Sequence, residues 1–336
     1  MRSGAYSVTD MRLGFAVKVL GAGGLPSHDT RRRPSSPHLS VSLDRLEAIL
    51  GYLEDNAIGM YRMATALAPY ASHPDHPELR GQPRECAERL AQIGARATAA
   101  GIRLSTHPGQ YTVLNSESER VRALAVDELE VQAEILDTMG LGPEAVVVLP
   151  VGGAAGGTAK AVDRFERGFE RLTDAARARL VVENDDRLFG LTDVVELSRR
   201  IGRPAVWDVL HHHCHDPDRI ADAEALALAA GTWPPGITPK VHFSSPRTDV
   251  EERRRRHGRR VERTLALPPL RAHADLVDPI AFEHFLAHTV AGRDVDVMLE
   301  AKAKDLALLR LREQLAARGL HPDRGARPGA PSAAPA

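Results

Sequence analysis

The sequence predicts a single (β/α)8 barrel, and three observations support this fold class. Short, nearly continuous apolar runs alternate about eight times with amphipathic segments of helix length. No domain-sized break interrupts them, and 336 residues are enough for one such barrel. Several of the apolar runs end at Glu, Asp or His. Apolar runs without alternation are typical of parallel strands that are covered on both faces.

Eight apolar runs are predicted as strands, and amphipathic segments separate them. The strands are expected at 13–17, 58–63, 103–106, 145–149, 180–183, 205–208, 240–243 and 296–300. The first helix is expected to start at Ser42 as its cap, because Leu43, Leu46, Ile49 and Leu50 then share one face. Further helices are expected in CAERLAQIGARATAA, SERVRALAVDELEVQAEILDTM, VDRFERGFERLTDAAR, IAFEHFLAHTVAG and KDLALLRLREQLAARG.

The composition of the two ends differs from that of the barrel segments. Residues 1–10 are polar and aperiodic, and the tail from 319 to 336 is rich in Pro, Gly and Ala. Both compositions are typical of disordered chain. We therefore expect one domain over 11–318 with disordered tails on either side.

Charge and cysteine content restrict the class of protein. A formal net charge of −1 gives no global signal for nucleic-acid binding, so any such binding must come from a local patch. The two cysteines, Cys86 and Cys214, argue against a disulfide scaffold and fit a reducing compartment. No stretch approaches the ~20 apolar residues of a membrane span, and no signal-peptide core is present. These features predict a cytoplasmic protein.

The polar residues at the strand ends predict a metal site. An unpaired carboxylate is costly to bury, and one His at the end of a strand is more often structural than a ligand. Several such residues at equivalent strand ends make metal binding the better interpretation, because the carboxyl ends of parallel barrel strands meet at one face. This mixture of carboxylates and imidazoles favours Mn²⁺ or Zn²⁺ over Mg²⁺ in a hydrolase or isomerase. The candidate ligands are His107, Glu183, Asp208, His211, His242, His273 and Glu300.

An arginine-rich segment is the candidate nucleic-acid contact. It lies on the connection between the strands that carry His242 and Glu300, next to the predicted metal site. Most charge runs are solvated faces, but at this position phosphate binding is credible and would compensate for the neutral overall charge. The residues are Arg247, Arg253, Arg254, Arg255, Arg256, Arg259, Arg260 and Arg263.

Eight segments together resemble the UV damage endonuclease family, whose members have an endonuclease IV-like, xylose-isomerase-like barrel. They are RLGFAV, YRMATALAPYASHP, STHPGQYTVLNS, VVENDD, WDVLHHH, PKVHFSSPR, RAHADLVD and DVMLEAKAKDLAL. They occur in the family's order and extend from about Met11 to Leu315. The combination of HPGQY, VENDD and MLEAKAK is specific, since a generic barrel of this type would share only the strand-end acids and histidines.

The resemblance implies an endonuclease that cuts DNA immediately 5′ to a UV photoproduct. It implies up to three metal positions, with His73 and His107 on one, Glu183 bridging two, and His211 and His273 at a third. Asp208, His242 and Glu300 complete the set. It also assigns catalytic roles to Glu183, Glu300 and Lys240, with Lys240 expected at the mouth of the barrel, where a phosphate contact is the equal alternative.

The resemblance further implies how DNA is held. Gln110 and Tyr111 are suited to wedge into a distorted duplex, with Tyr111 stacking and Gln110 donating hydrogen bonds. An ordinary exposed aromatic at the rim is the alternative interpretation of Tyr111. Phe15 stands where the family has a tyrosine of the lesion pocket, and it is expected to contact DNA with the arginines named above. The partner is then double-stranded DNA with UV photoproducts or other distorting lesions, bound by a monomer that associates with the nucleoid.

Pro150 departs from the family pattern, which has a histidine at the end of the fourth strand. Proline cannot bind a metal, so one of the metal positions is expected to be weakened. A barrel that binds lesions but cuts them poorly is therefore one alternative function. A metal-dependent sugar isomerase or epimerase of the same fold is another, although such an enzyme has no need of an arginine-rich rim.

Overall fold

The structure is a computed structural model that describes residues 11–258 and 260–322. Ten strands occur in the described part of the chain. They are β1 (Leu13–Ala16), β2 (Met60–Arg62), β3 (Arg103–Ser105), β4 (Val147–Pro150), β5 (Leu180–Glu183), β6 (Ala205–Asp208), β7 (Lys240–Phe243), β8 (Glu251–His257), β9 (Arg260–Ala266) and β10 (Asp296–Leu299).

Eight of these strands form one parallel sheet, which closes into a barrel. Their order is β3-β2-β1-β10-β7-β6-β5-β4, and the pairs within it are parallel. The two end strands meet through a parallel bridge between Thr106 and Val147. There the Thr106 amide donates to the Val146 carbonyl and the Val148 amide to the Thr106 carbonyl, both at 3.0 Å. The predicted (β/α)8 barrel is confirmed, and all eight predicted strands are present with boundaries that shift by at most two residues.

Helices cover the outside of the barrel. They are α1 (Leu39–Asp55), α2 (Gln82–Glu85), α3 (Ala87–Ala99), α4 (Glu119–Thr138), α5 (Thr158–Phe169), α6 (Asp174–Arg179), α7 (Leu191–Ile201), α8 (Val209–Cys214), α9 (Asp222–Ala230), α10 (Pro279–His284) and α11 (Lys304–Ala316). The expected start of α1 at Ser42 is wrong. His38 caps the helix by accepting from the Ser40 amide, while buried Ser42 accepts from the Asp29 amide.

Side chains along each barrel strand point alternately to the helices outside and to the barrel interior. Outward-facing residues such as Leu13, Trp207 and Leu299 join the large apolar cluster with the helices. Ala16, Met60 and Met298 form a small separate cluster. Gly14 permits close approach of β1 and β2, because a Cβ there would lie 2.6 Å from the Met60 carbonyl oxygen. The barrel is therefore filled by side chains, with polar groups at its two ends.

A buried ion pair lies at the amino-terminal end of the barrel strands. Arg103 and Asp296 begin β3 and β10, their side chains are fully buried, and Arg103 Nη1 lies 2.8 Å from Asp296 Oδ2. Arg103 also donates to the carbonyl oxygens of Glu144 and Thr238, at 2.9 and 2.8 Å. Arg12 adds a second guanidinium to Asp296 at 3.0 Å. This network occupies the opposite end from the strand-end ligands, so its role is structural.

The arginine-rich connection contains an antiparallel hairpin. Strands β8 and β9 pair from Glu251 with Ala266 to His257 with Arg260. Gly258 at the turn has φ of 61°, a conformation that glycine adopts without strain. We call residues 251–266 the arginine ribbon. Arginine has no strong strand preference, and its charge run conceals the pattern that would otherwise predict strands.

The ends of the domain differ slightly from the prediction. Residues 319–322 are described, and Leu320 packs partly buried against the core, so they do not belong to a disordered tail. The expectation of disorder for 1–10 and 323–336 lies outside the described residues. Within the described ranges, every helix is too short or too polar to cross a membrane.

Candidate metal centre

The strand-end ligands predicted from the sequence converge inside the carboxyl end of the barrel. Glu183 and Asp208 are the last residues of β5 and β6, and His242 lies in β7. Asp208 and His242 are register partners, so both side chains point to the same side of the sheet. Glu300 follows β10, where its amide donates to the Phe243 carbonyl at 2.9 Å. His107 comes two residues after Ser105, the last residue of β3.

Two groups of ligand atoms form within this layer. One group is His107, His242 and Glu300, and the other is Glu183, Asp208 and His211. The ligand atoms within each group lie within 4.8 Å of one another. Glu183 joins the groups, because its two oxygens lie 2.9 Å from His107 Nε2 and 2.5 Å from His242 Nδ1. The arrangement is a cluster of six neighbouring candidate ligands in which Glu183 belongs to one group and contacts two members of the other.

Two orphaned atoms support metal binding by these residues. Asp208 Oδ2 and His242 Nε2 are buried and have no hydrogen-bond partner among the described residues. A buried polar atom without a partner is costly, and in native proteins such atoms often belong to sites that bind ions. A carboxylate oxygen and an imidazole nitrogen are both good ligands for divalent cations. The donor set therefore fits a divalent metal ion.

The protonation states of His242, Glu183 and Glu300 also favour cation binding. Burial lowers the pKa of His242, and a neutral imidazole is the form that binds metal ions. Burial would raise the pKa of Glu183, but His242 and His107 hold it well below its usual range. Burial also opposes ionisation of Glu300, and there Arg62 and His242 bring the pKa below its ordinary value. Both glutamates are therefore carboxylates at neutral pH.

Asp208 and His211, in contrast, have raised pKa values. Burial raises the pKa of Asp208 to about 8, and Glu300 and Glu183 add to this rise against the opposing effect of His211. Burial disfavours the charged form of His211, but Asp208, Glu183 and Glu300 raise its pKa to about 9. A site that gathers this much negative charge binds either protons or cations.

Two residues outside the predicted ligand set hold the candidate ligands in place. Arg62, two residues after Met60 on β2, forms an ion pair with Glu300. Asn184 exchanges hydrogen bonds with the backbone of Asp208, at 3.0 and 2.8 Å, and its carbonyl lies 3.1 Å from His211 Nδ1. Both stand in segments noted above, YRMATALAPYASHP and VVENDD. Their positions at strand ends were the signal that could have identified them.

The predicted position of Lys240 at the barrel mouth is wrong. Lys240 is the first residue of β7 and lies one inward position below His242, with 0% exposure. Its Nζ donates to Ser105 Oγ at 2.8 Å. Burial, together with Arg103 and Arg62, lowers the pKa of Lys240 well below its ordinary value. Lys240 therefore lies beneath the ligands, inside the barrel, where a long DNA strand cannot reach it.

His273 and His73 lie outside the two ligand groups. The Nδ1 of His273 lies 2.8 Å from the Glu300 carbonyl oxygen and 3.9 Å from Glu300 Oε2, so it borders the centre. Its ring is 6.2 Å from that of His211. His73 is exposed, its Nδ1 accepts from the Asp75 amide, and its ring packs near those of Tyr70 and His76. A metal role for either histidine stays a prediction.

The residues expected to contact DNA occupy different environments. Gln110 and Tyr111 lie in the turn directly after His107, and Tyr111 is 83% exposed. The expected contact of Phe15 does not fit the structure, because Phe15 is fully buried and packs edge-on against Tyr61 with ring centroids 5.4 Å apart. Strand alternation explains this, since Phe15 faces the helical layer. Arg253, Arg254, Arg255 and Arg256 are exposed on the arginine ribbon, and half-buried Arg247 pairs with Glu251 at its base.

Comparison with known proteins identifies the family. The family model described as UV-endonuclease UvdE matches residues 39–322. The chain belongs to the UvdE family. A UV DNA damage endonuclease of Bacillus pumilus is 33% identical over 263 residues, which cover 77% of this chain and 76% of the relative. The UvdE relative from Bacillus velezensis is 32% identical over 79% of this chain, and a UV-damage endonuclease of Neurospora crassa is 32% identical over 78%.

Solved structures agree with the UvdE assignment. The crystal structure of SacUVDE matches with a TM-score of 0.75 and 27% identity, covering 92% of this chain and 99% of that one. The 3-keto-D-glucoside 4-epimerase YcjR from E. coli matches with a TM-score of 0.52 and 11% identity. At that identity the epimerase shares the fold alone. The comparison therefore favours the UvdE family over the sugar isomerase or epimerase alternative.

Proposed function

We propose that this UvdE family member is a metal-dependent endonuclease of DNA repair that cuts immediately 5′ to UV photoproducts. The observation that carries the proposal is the six-residue ligand cluster joined by Glu183 at the open end of the barrel. The endonuclease names of the relatives support the reaction class. As a repair nuclease it would act in the cytoplasm, on the nucleoid.

Divalent ions, Mn²⁺ most naturally and Zn²⁺ as the alternative, would be held by the two groups. His107 and His242 supply neutral imidazoles, while Glu183, Asp208 and Glu300 supply carboxylates. His211 belongs to one of these groups, and His273 and His73 are candidates for a further position. When bound, the ions would activate water near neutral pH and neutralise charge on the scissile phosphate.

The chain's own residues position this chemistry. Arg62 holds Glu300 by its ion pair and adds positive charge next to the ligands, where a phosphate diester would lie. Asn184 fixes Asp208 and His211 together through three hydrogen bonds. Lys240, buried against Ser105, supports the floor of the centre in this proposal, so its contribution is to positioning.

Recognition of the lesion is assigned to the turn after His107. Exposed Tyr111 would stack in the space opened by a distorted step, and Gln110 would hydrogen-bond to the exposed bases. Because His107 is itself a candidate ligand, the wedge and the cutting centre are only a few residues apart. This short connection supports incision next to the lesion.

The test is an incision assay with end-labelled duplex that contains one cyclobutane dimer. Purified protein is incubated with Mn²⁺, Zn²⁺ or EDTA, and the product length gives the position of the cut. We expect a single cut on the 5′ side of the dimer that requires metal, with intact duplex uncut. Cutting that is independent of metal or of the dimer would contradict the proposal.

Pro150 favours a second candidate function, a lesion-binding barrel with weakened catalysis. It is the register partner of Glu183 and occupies a strand end within the ligand layer, yet it offers no ligand atom. In the same assay, dimer-specific binding without incision over a wide Mn²⁺ range would identify this second function.

A further inference from the structure

The arginine ribbon is anchored directly beside the candidate metal centre. Pro246 and His273 form an antiparallel bridge at its base, and the Arg247 amide donates to the Ala272 carbonyl at 2.6 Å. The Ala274 amide donates to the Ser245 carbonyl at 2.9 Å. His273 in turn contacts the Glu300 carbonyl. The base of the ribbon is thus fixed to the residues that border the ligands, and the two strands extend away from them.

Both faces of the ribbon are exposed and both carry arginines. Alternation and register place Arg254, Arg256 and Arg263 on one face, with Glu252 paired to two of them. Arg253, Arg255 and Arg260 share the opposite face. A hairpin that packs on its own protein has one apolar, buried face, whereas residues 252–256 and 260–265 are exposed.

The thickness of the ribbon decides which DNA groove it fits. Stacked strand layers are spaced about 10 Å apart, which sets the approximate thickness of the ribbon before its arginines extend, and seven residues per strand span about 24 Å. The major groove of B-DNA is about 12 Å wide and the minor groove about 6 Å. A ribbon that lies flat on one phosphate backbone needs arginines on one face only. Arginines on both faces suit a ribbon that stands in the major groove, with a phosphate backbone on each side.

We propose that the arginine ribbon is a DNA-binding arm that enters the major groove of the duplex beside the lesion, its two faces contacting opposite phosphate backbones. The proposal rests on the proposed function, because it takes damaged duplex DNA as the substrate. It adds a binding site separate from the metal cluster and from the Gln110–Tyr111 turn.

The first test compares the two faces. Binding of the full chain to intact and dimer-containing duplex is measured by fluorescence anisotropy over a range of salt. The variants are R254A/R256A/R263A and R253A/R255A/R260A. Each should weaken binding by about tenfold or more and lower the log–log salt slope by about two to three units, close to one unit per lost phosphate contact.

The control variant removes the same charge elsewhere. Arg96, Arg167 and Arg199 lie in the last turns of α3, α5 and α7, at the end of the barrel away from the strand-end ligands. R96A/R167A/R199A should leave affinity and salt slope almost unchanged. An effect from only one face of the ribbon would mean that it lies flat, and no effect from either face would mean that it does not bind DNA. Either result overturns the proposal.

The second test examines the groove, with duplex whose cytosines carry a glucosyl group at C5 to fill the major groove. On the glucosylated duplex, the wild-type chain should lose about as much affinity as the face substitutions remove on ordinary duplex. The face variants themselves should bind the two duplexes almost equally. Equal binding of both duplexes by the wild-type chain would overturn entry into the major groove. Incision of the dimer substrate separates this proposal from the proposed function. If the face variants bind and cut the substrate normally, the role of the ribbon in DNA binding is refuted and the nuclease function is not. If binding depends on the ribbon but no cut is made, only the nuclease function is refuted.

Discussion

Glu183 belongs to one half of the candidate metal centre and contacts His107 and His242 of the other, so it is the residue whose charge matters most there. Glu183→Gln keeps the shape but removes the negative charge that a shared cation needs. We expect incision to fall by about a thousandfold or more and metal content to fall with it. Glu300→Gln should act similarly and also leave Arg62 without its partner. Incision assays and elemental analysis measure the two effects.

The matched control for these variants is Glu196→Gln, an exposed glutamate on α7. It should keep both activity and metal content. Full incision with normal metal content in Glu183→Gln and Glu300→Gln would remove the basis for the metal assignment.

Substitution of Tyr111 tests whether this exposed side chain recognises the lesion. Tyr111→Ala should reduce the ratio of dimer-containing to intact duplex binding by about five- to a hundredfold, because stacking contributes about 1–3 kcal/mol per base. Tyr111→Phe keeps the ring and should keep the ratio. The two affinities are measured by anisotropy, with metal content checked in parallel. An unchanged ratio in Tyr111→Ala would identify Tyr111 as an ordinary rim residue.

At the scale of the element, β4 ends on Pro150, which is the register partner of Glu183 in the layer of candidate ligands. Pro150→His should place an imidazole in this layer, since register partners point to the same side of the sheet. We expect higher Mn²⁺ occupancy, and incision that needs less added metal. Elemental analysis after dialysis and a Mn²⁺ titration of the cutting rate measure this. Equal occupancy and equal rates would show that other ligands already compensate for Pro150.

The buried ion pair at the amino-terminal ends of β3 and β10 gives a prediction about stability. Asp296→Ala leaves the fully buried guanidinium of Arg103 without its carboxylate, which should lower the free energy of unfolding by about 3–5 kcal/mol. Asp44→Ala breaks an exposed pair with Arg89 and should cost less than about 1 kcal/mol. Urea denaturation of both variants gives the comparison. Similar losses in the two would mean that the buried Arg103–Asp296 pair is not needed for stability.

At the scale of the whole molecule, the metal centre links stability to pH. The folded, metal-free protein binds protons on Asp208 up to pH about 8 and on His211 up to about 9. In the unfolded chain these groups lose protons near pH ~3.9 and ~6.5. The stabilisation is complete below those unfolded values and is lost as pH rises through the folded ones. Lys240, whose pKa is lowered, acts in the opposite sense, so we expect the melting temperature in EDTA to fall more between pH 6.5 and 8 in the wild-type chain than in Asp208→Asn.

Added Mn²⁺ should restore the melting temperature most strongly at the upper end of this range, because metal ions bind the deprotonated ligands. Asp208→Asn should flatten the pH dependence in EDTA. The same pH dependence in Asp208→Asn as in the wild-type chain would contradict the protonation assigned to Asp208.

The amino-acid sequence by itself determined the barrel, its eight strands and most of the ligand layer. These features depend on local patterns: apolar runs predict strands, and a polar residue at the end of each run marks the carboxyl end. Parallel strands in a barrel bring such ends together whatever the helices between them contain. Glu183, Asp208, His242 and Glu300 could therefore be identified without coordinates.

Only the tertiary structure decided which face each residue occupies and what it contacts. Phe15 and Lys240 stand on predicted strands, but their burial depends on the barrel's depth and on strand direction, which a local pattern does not specify. The ion pair of Arg62 with Glu300 joins residues 238 positions apart. The arginine ribbon forms by pairing two polar strands, and their register places arginines on both faces. Such long-range pairings depend on the folded geometry, because the sequence of either partner does not specify the other.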